Sequence, residues 1–425
     1  MVCFMNIKKI IPVTLLCSAS VVAGQGDQIS GSRYSIATHN THALNGINAA
    51  SANAHLVPSF NFASIGSFKF GGEVGNVDFA DEITDLIDEL DRDDITLDES
   101  DELKERFDNL LLQAGQNGYV NVDLAAQLPL SFAWKRELDT FTLSTRARGN
   151  VNVTILDDKL EYNALQETIS TNASGYVKVA DLTEFSFGYS RLLWQNKFGD
   201  LHAGARLNVQ NIGLSKQVIA FESADADEEL SDVFLDDYED AKVSSTDFAI
   251  DLSAYWAGIN YNAGITLSNV NEPEFEFGEL GNDCLNKPTE TSKSNCFTAL
   301  HFSDRIALKE TYVANSYATL QANYISDDRT LSIDFSLETE HNTPVGLKEQ
   351  WATASIAAQP ESIYIPNARL TYSSNLAGSE LDYLSGELSW GWFGLAGGYA
   401  LTDTTVDDTT VPRGGFFTLS ISNHF

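Results

Sequence analysis

What the chain has little of narrows it first. Apolar residues make up 43% of it, yet no stretch after its first two dozen residues approaches the eighteen or more apolar residues of a membrane-crossing helix. Basic residues are scarce: 26 Lys and Arg stand against 60 Asp and Glu, a formal net charge of −34. That balance excludes direct nucleic-acid binding and a basic face for anionic lipid. No GxSxG elbow, HExxH pair or P-loop occurs, so three common catalytic signatures are missing. His39, His42 and His55 match no metal-ligand spacing, and the alternating Asp225, Asp227 and Glu229 lack the glycine that turns a calcium loop. The expectation is no enzyme, no metal and no cofactor.

Cysteine is also sparse. Cys3 and Cys17 fall in an N-terminal segment where Lys8 and Lys9 precede an apolar run, Ile10 to Val22, ending in small residues. This reads as a secretory signal over 1–23, too short to span a bilayer. Cys284 and Cys296 remain, in a polar stretch. In an exported chain such a pair predicts one disulfide; a metal site is the other reading, with no His or second Cys pair close by.

The dominant signal is a period of two. Phe141, Leu143, Ala147, Val151 and Val153 alternate with Thr142, Arg146, Arg148 and Asn150. Leu201, Ala203, Ala205 and Leu207 alternate with His202 and Arg206, and Phe248, Ile250 and Leu252 with Asp247 and Asp251. Leu331, Ile333, Phe335 and Leu337 alternate with Ser332, Asp334 and Glu338. A sandwich core would not tolerate full charges on its buried parity. A lipid-facing exterior around a wet or plugged lumen accommodates both parities. Parity alone makes Arg146, Arg148, Arg206, Asp247, Asp251, Asp334 and Glu338 candidate lumen-lining residues, either bracing the barrel or lining a permeation path.

Fourteen strands are expected, over about 62–74, 119–135, 139–154, 176–194, 200–218, 244–257, 258–271, 309–325, 328–341, 350–359, 365–375, 382–390, 391–402 and 413–425. Long connections at 75–118, 155–175, 219–243 and 272–308 alternate with short ones at 136–138, 195–199 and 326–327, as outer loops and periplasmic turns do. The 75–118 loop carries two acidic amphipathic helices, Phe79–Leu90 and Asp101–Ala114. Trp134, Trp194, Trp256, Trp351, Trp390 and Trp392 near strand ends suit interfacial girdles. Pro129 marks a bulge, a strand start or a gap in the wall. Residues 24–61 lack a period and are expected as a plug or periplasmic leader ahead of the 62–425 barrel.

The last strand alternates Phe417, Leu419, Ile421 and Phe425 with polar residues. It resembles the closing strand of bacterial outer-membrane barrels, whose terminal aromatic belongs to the signal read by the barrel assembly machinery. Leu128-Pro129-Leu130-Ser131-Phe132-Ala133-Trp134, a short turn, then Phe141-Thr142-Leu143 onward to Gly149 resembles the early hairpin of the FadL-like long-chain fatty acid transporters. The acidic double helix, the run Leu182 to Tyr189, and Asp236-Asp237-Tyr238 leading into Phe248–Trp256 resemble the TraF-type proteins of conjugal transfer. The thioredoxin-like pilus-assembly protein that shares the TraF name does not fit, since no CxxC is present. The resemblance implies an all-β fold, a closed antiparallel transmembrane barrel of about 14 strands with an N-terminal plug, in the outer membrane of a Gram-negative bacterium. It implies outer-membrane lipid around the wall and either uptake of a hydrophobic ligand or an envelope role in DNA transfer. A structural barrel docking a partner through its acidic outer loops is the alternative, and an outer-leaflet enzyme a third.

Overall fold

The computed structural model describes residues 48–55, 60–75, 80–90, 92, 95–127, 131–223, 241–360, 364–390, 393–406 and 409–424. The expected signal segment, Phe425, Pro129, Trp392 and most of the second acidic loop lie outside them.

The alternating segments close into one antiparallel barrel of fourteen strands. Numbering only its wall, these are β1 (Phe60–Val74), β2 (Tyr119–Gln127 continued by Ser131–Lys135), β3 (Asp139–Leu156), β4 (Ser174–Asn196), β5 (Gly199–Ala220), β6 (Val243–Gly258), β7 (Tyr261–Ser268), β8 (Tyr317–Ile325), β9 (Leu331–Glu338), β10 (Trp351–Ala358), β11 (Asn367–Asn375), β12 (Asp382–Trp390), β13 (Phe393–Ala400) and β14 (Gly414–His424). Each pairs with its sequence neighbours, and β14 closes the ring on β1, with Phe70 opposite Phe417. Closure leaves no open edge, which a sheet in lipid requires.

The wall is inside-out relative to a soluble protein. Phe187 is 51% and Phe335 55% exposed on the outer parity, whereas Glu184 is 0% and Asp334 3% exposed on the inner one. Trp134, Trp194 and Trp390 are exposed at the short-turn ends of their strands, the depth at which amphipathic rings favour an interface. Trp351 departs from the expected girdle: it turns inward and packs with Leu381, Tyr383, Ala400 and Phe416.

The barrel is taller on one side. β4 and β5 run 23 and 22 residues, against eight or nine for β7 to β13. The tall side carries the long loops. Helices α2 (Ala80–Leu90) and α3 (Leu97–Asn117) pack through Leu86, Phe107 and Leu111 onto Ile155, Leu160 and Ile169. α3 starts earlier than its apolar stripe, because Thr96 and Glu99 form a reciprocal capping box. The expected strand over 309–325 is divided: Thr311–Val313 pairs with Glu274–Glu276 inside the loop, and β8 begins at Tyr317. Cys284 and Cys296 form a disulfide, with Cα atoms 5.4 Å apart, tying the loop to a helix, Glu290–His301, that the alternation does not reveal.

Candidate functional site

The inner face of the tall side is an ion-pair lattice. The side chain of Glu184 on β4 is fully buried, with Arg146 Nη2 of β3 at 2.7 Å. It also accepts from Ser186 Oγ at 2.6 Å and Gln210 Nε2 at 2.9 Å. Arg206 faces Asp251 across the β5–β6 ladder, and Asp251 accepts from Asn208 Nδ2 at 2.8 Å and Asn269 N at 3.0 Å. A second lattice spans the short strands. Asp334 lies 3.2 Å from Arg369 Nη1 and accepts from Ser355 Oγ at 3.2 Å. Such charges are tolerable away from water only when paired and hydrogen-bonded.

The remaining candidates fall on the same face. Glu338 is buried at the top of β9. Asp247 is half-buried on the inward parity opposite Gln210, and its carboxylate accepts from Phe248 N at 2.8 Å. Arg148 belongs to a third group, where Asp123 lies 3.4 Å from its Nε and 3.0 Å from Lys69 Nζ. Lys69, Asp123, Glu184 and Arg369 are partners that sequence reading passed over. Lys69 lies between Phe68 and Phe70, and Glu184 directly before Phe185, so parity could have found both.

Arg148 also meets a residue from across the lumen. Its Nη2 lies 3.7 Å from Oε1 of Glu349, in the connection between β9 and β10. That connection folds into the barrel. Val345 joins Ala180, Ile212 and Leu214 of the opposite wall in an apolar cluster. The rings of His341 and Tyr317 stack at 4.2 Å. Trp351 Nε1 donates to Glu349 at 3.3 Å. Burial works to raise the Glu349 pKa, but the neighbouring His341 and the Arg148 charge hold it at about 2. Two cavities flank this crossing, of about 80 and 90 Å³, and both are lined by Arg148, Asn150, Tyr317 and His341.

A short helix, α1 (Ala49–His55), lies against the inner wall near the short-turn end. Asn48 Nδ2 donates to Ala254 O at 3.1 Å, and Ala50 N to Ser253 Oγ at 3.0 Å. Asn53 Nδ2 donates to Thr140 Oγ1 at 2.9 Å, and its Oδ1 meets His202 Nδ1 at 2.9 Å. The wall makes room through Gly204, where a Cβ would sit 2.6 Å from Ala50 N.

On one side of the undescribed residues 128–130, Ala126 of β2 pairs with Ala147 of β3, and on the other Phe132 pairs with Leu143, a register that differs by two residues. Against β1 the register is the same on both sides, with Gln127 opposite Ser67 and Ser131 opposite Ala63.

Residues 46–336 match the model of the F plasmid transfer operon TraF protein family. The chain belongs to that family. The TraF match takes in α1, both acidic helices and the wall into β9, hence the whole Arg146–Glu184–Arg206–Asp251 lattice. The His341–Glu349 crossing lies beyond it. No curated protein sequence matches the TraF-family chain. Similar solved structures include the toluene transporter TbuX of Ralstonia pickettii, at 8% identity and a TM-score of 0.47 over 95% of this chain and 98% of that one. The toluene transporter TodX of Pseudomonas putida is similar at 10% identity and a TM-score of 0.43, over 95% and 99%. A FadL homologue of Pseudomonas aeruginosa is similar at 9% and 0.42, over 95% and 98%.

Proposed function

We propose that this TraF-family barrel sits in the outer membrane of a Gram-negative bacterium and passes small solutes passively through a lumen that is partly filled at rest. The observation that carries the reading is the inverted wall: lipid suits its apolar parity, while the inner parity is charged and encloses two cavities. Arg146, Arg148, Arg206, Asp247, Asp251, Asp334 and Glu338 line that path and brace it. The 24–61 segment acts as the plug, seated by the contacts of Asn48, Ala50 and Asn53. Phe417, Leu419, Ile421 and Phe425 supply the assembly signal.

The two cavities among the described residues are small and lined by ionic groups, which do not suit an apolar solute. Such a solute leaves sideways instead, between β2 and β3, where their register changes by two residues. The test is flux in liposomes, with small polar solutes and a small hydrocarbon measured separately. Deleting residues 24–61 should raise polar flux; unchanged flux removes the plug from the account. Equal hydrocarbon flux with and without a β2–β3 cross-link beside the register change removes the lateral exit.

Family membership favours a second reading, an envelope component of conjugal transfer that docks a partner through α2 and α3. Loss of DNA transfer on charge-neutralising their exposed faces, with flux unchanged, would favour docking over transport.

A further inference from the structure

The β9–β10 connection is a small hairpin in its own right. His341 N donates to Glu349 O at 2.9 Å and Glu349 N to His341 O at 3.0 Å. Within it, Thr343 Oγ1 donates to Leu347 O. Among the described residues, several ties join it to other parts of the barrel. Val345 packs on the far wall, Tyr312 OH donates to Asn342 O at 3.4 Å, Tyr317 stacks on His341, and Arg148 pairs with Glu349. One tie is apolar; the others are polar or aromatic. The four residues common to both cavities make the partition between them, and His341 is the one the hairpin contributes.

We propose that this hairpin is a proton-operated gate: His341, paired with Glu349 across the hairpin's own base, holds that base closed and the partition shut in acid, and loss of its proton loosens the base so that His341 leaves the partition and the two cavities join. The gate rests on the transport reading above and adds its regulation.

The surroundings support it. His341 Nε2 lies 3.6 Å from Glu349 Oε2, and Glu338 adds a second carboxylate to the field at the ring. Arg148 approaches from β3, with Asp123 of β2 and Lys69 of β1 behind it. Burial pushes the Tyr312 phenol above the ordinary tyrosine range, so it stays neutral. His341 Nδ1 is buried with no hydrogen-bond partner among the described residues. Burial disfavours the imidazolium, but the adjacent Glu349 carboxylate outweighs it, leaving the His341 pKa above its ordinary 6.5. The sign follows. The pair contributes fully below the ordinary imidazole pKa and is lost as pH rises through the higher folded value. Arg148 keeps its charge and its 3.7 Å approach to Glu349 Oε1, so only the His341 side of the pairing changes in this range.

The test is the conductance of the full-length protein in planar bilayers between about pH 5 and pH 9, a range that spans the histidine transition. Wild type should conduct severalfold more on the alkaline side. His341→Gln should lose the step and conduct throughout at the wild-type alkaline level. Trp351 emission, which senses Glu349 through the indole hydrogen bond, should step with pH in wild type and stay flat in the variant. If His341→Gln does not assemble, Glu349→Gln removes the same pair and should flatten both readouts. A full-sized step surviving in either variant, or a flat wild type, overturns the gate alone. A barrel silent at every pH overturns the transport reading and the gate together.

Discussion

Arg148 and Glu349 lie 3.7 Å apart, although β3, which carries one, and β10, which the other immediately precedes, stand on opposite sides of a fourteen-strand ring. An inward-folded hairpin brings them together. The lumen is thereby divided by a contact between opposite walls.

Acid should release that contact from the Glu349 side. Its carboxyl is held at about 2, below the ordinary 4.5, so its contribution is complete above the ordinary value and is lost as pH falls toward the folded one. Trp351 emission should be constant between about pH 5 and pH 6, then shift to the red as acid protonates the carboxylate near its lowered pKa. A shift already complete at about pH 4 would show that the pair does not form.

Removing Glu184 should be severe. Glu184→Ala leaves Arg146 facing a buried gap, and an uncompensated buried charge costs about 3–5 kcal/mol. Heat-dependent gel mobility should show a lower unfolding midpoint, with much of the loss recovered in the Arg146→Met, Glu184→Leu double variant.

Gly204→Ala should unseat α1. The added methyl would meet backbone, not a flexible side chain. Lys135 donates to the carbonyl of Asn53, so an unseated helix also frees that ammonium. The expected outcome is faster protease cleavage within 48–55 and a conductance near that of the 24–61 deletion, with the wall intact.

Reducing the Cys284–Cys296 disulfide should act locally. A closed loop with a sequence separation of 12 is worth about 3 kcal/mol. The segment around Glu290–His301 should become protease-sensitive, while the unfolding midpoint of the barrel stays in place.

The wall was legible in the sequence because its physics is local. Lipid on one side and water on the other impose strict alternation, and Phe335 with Asp334 announces both faces within two residues. The lumen was not legible. His341 and Glu349 lie in a stretch without a period, and their partners Arg148, Tyr317 and Val345 meet only after the ring closes. Trp351 misled for the same reason: position near a strand end is local, but which way the ring turns depends on Tyr383 and Phe416. The Glu290–His301 helix has no clear apolar stripe, so nothing in its pattern separated it from loop.

Lipid around the outward parity is what each reading above requires. Phe335→Arg is the sharpest probe of it, because Phe335 is exposed in mid-strand on that face. Refolded into bilayers and titrated with denaturant, the variant should be destabilised by about 2–4 kcal/mol, the cost of an arginine near the bilayer midplane. Unchanged stability would mean that the face meets water and would contradict the account.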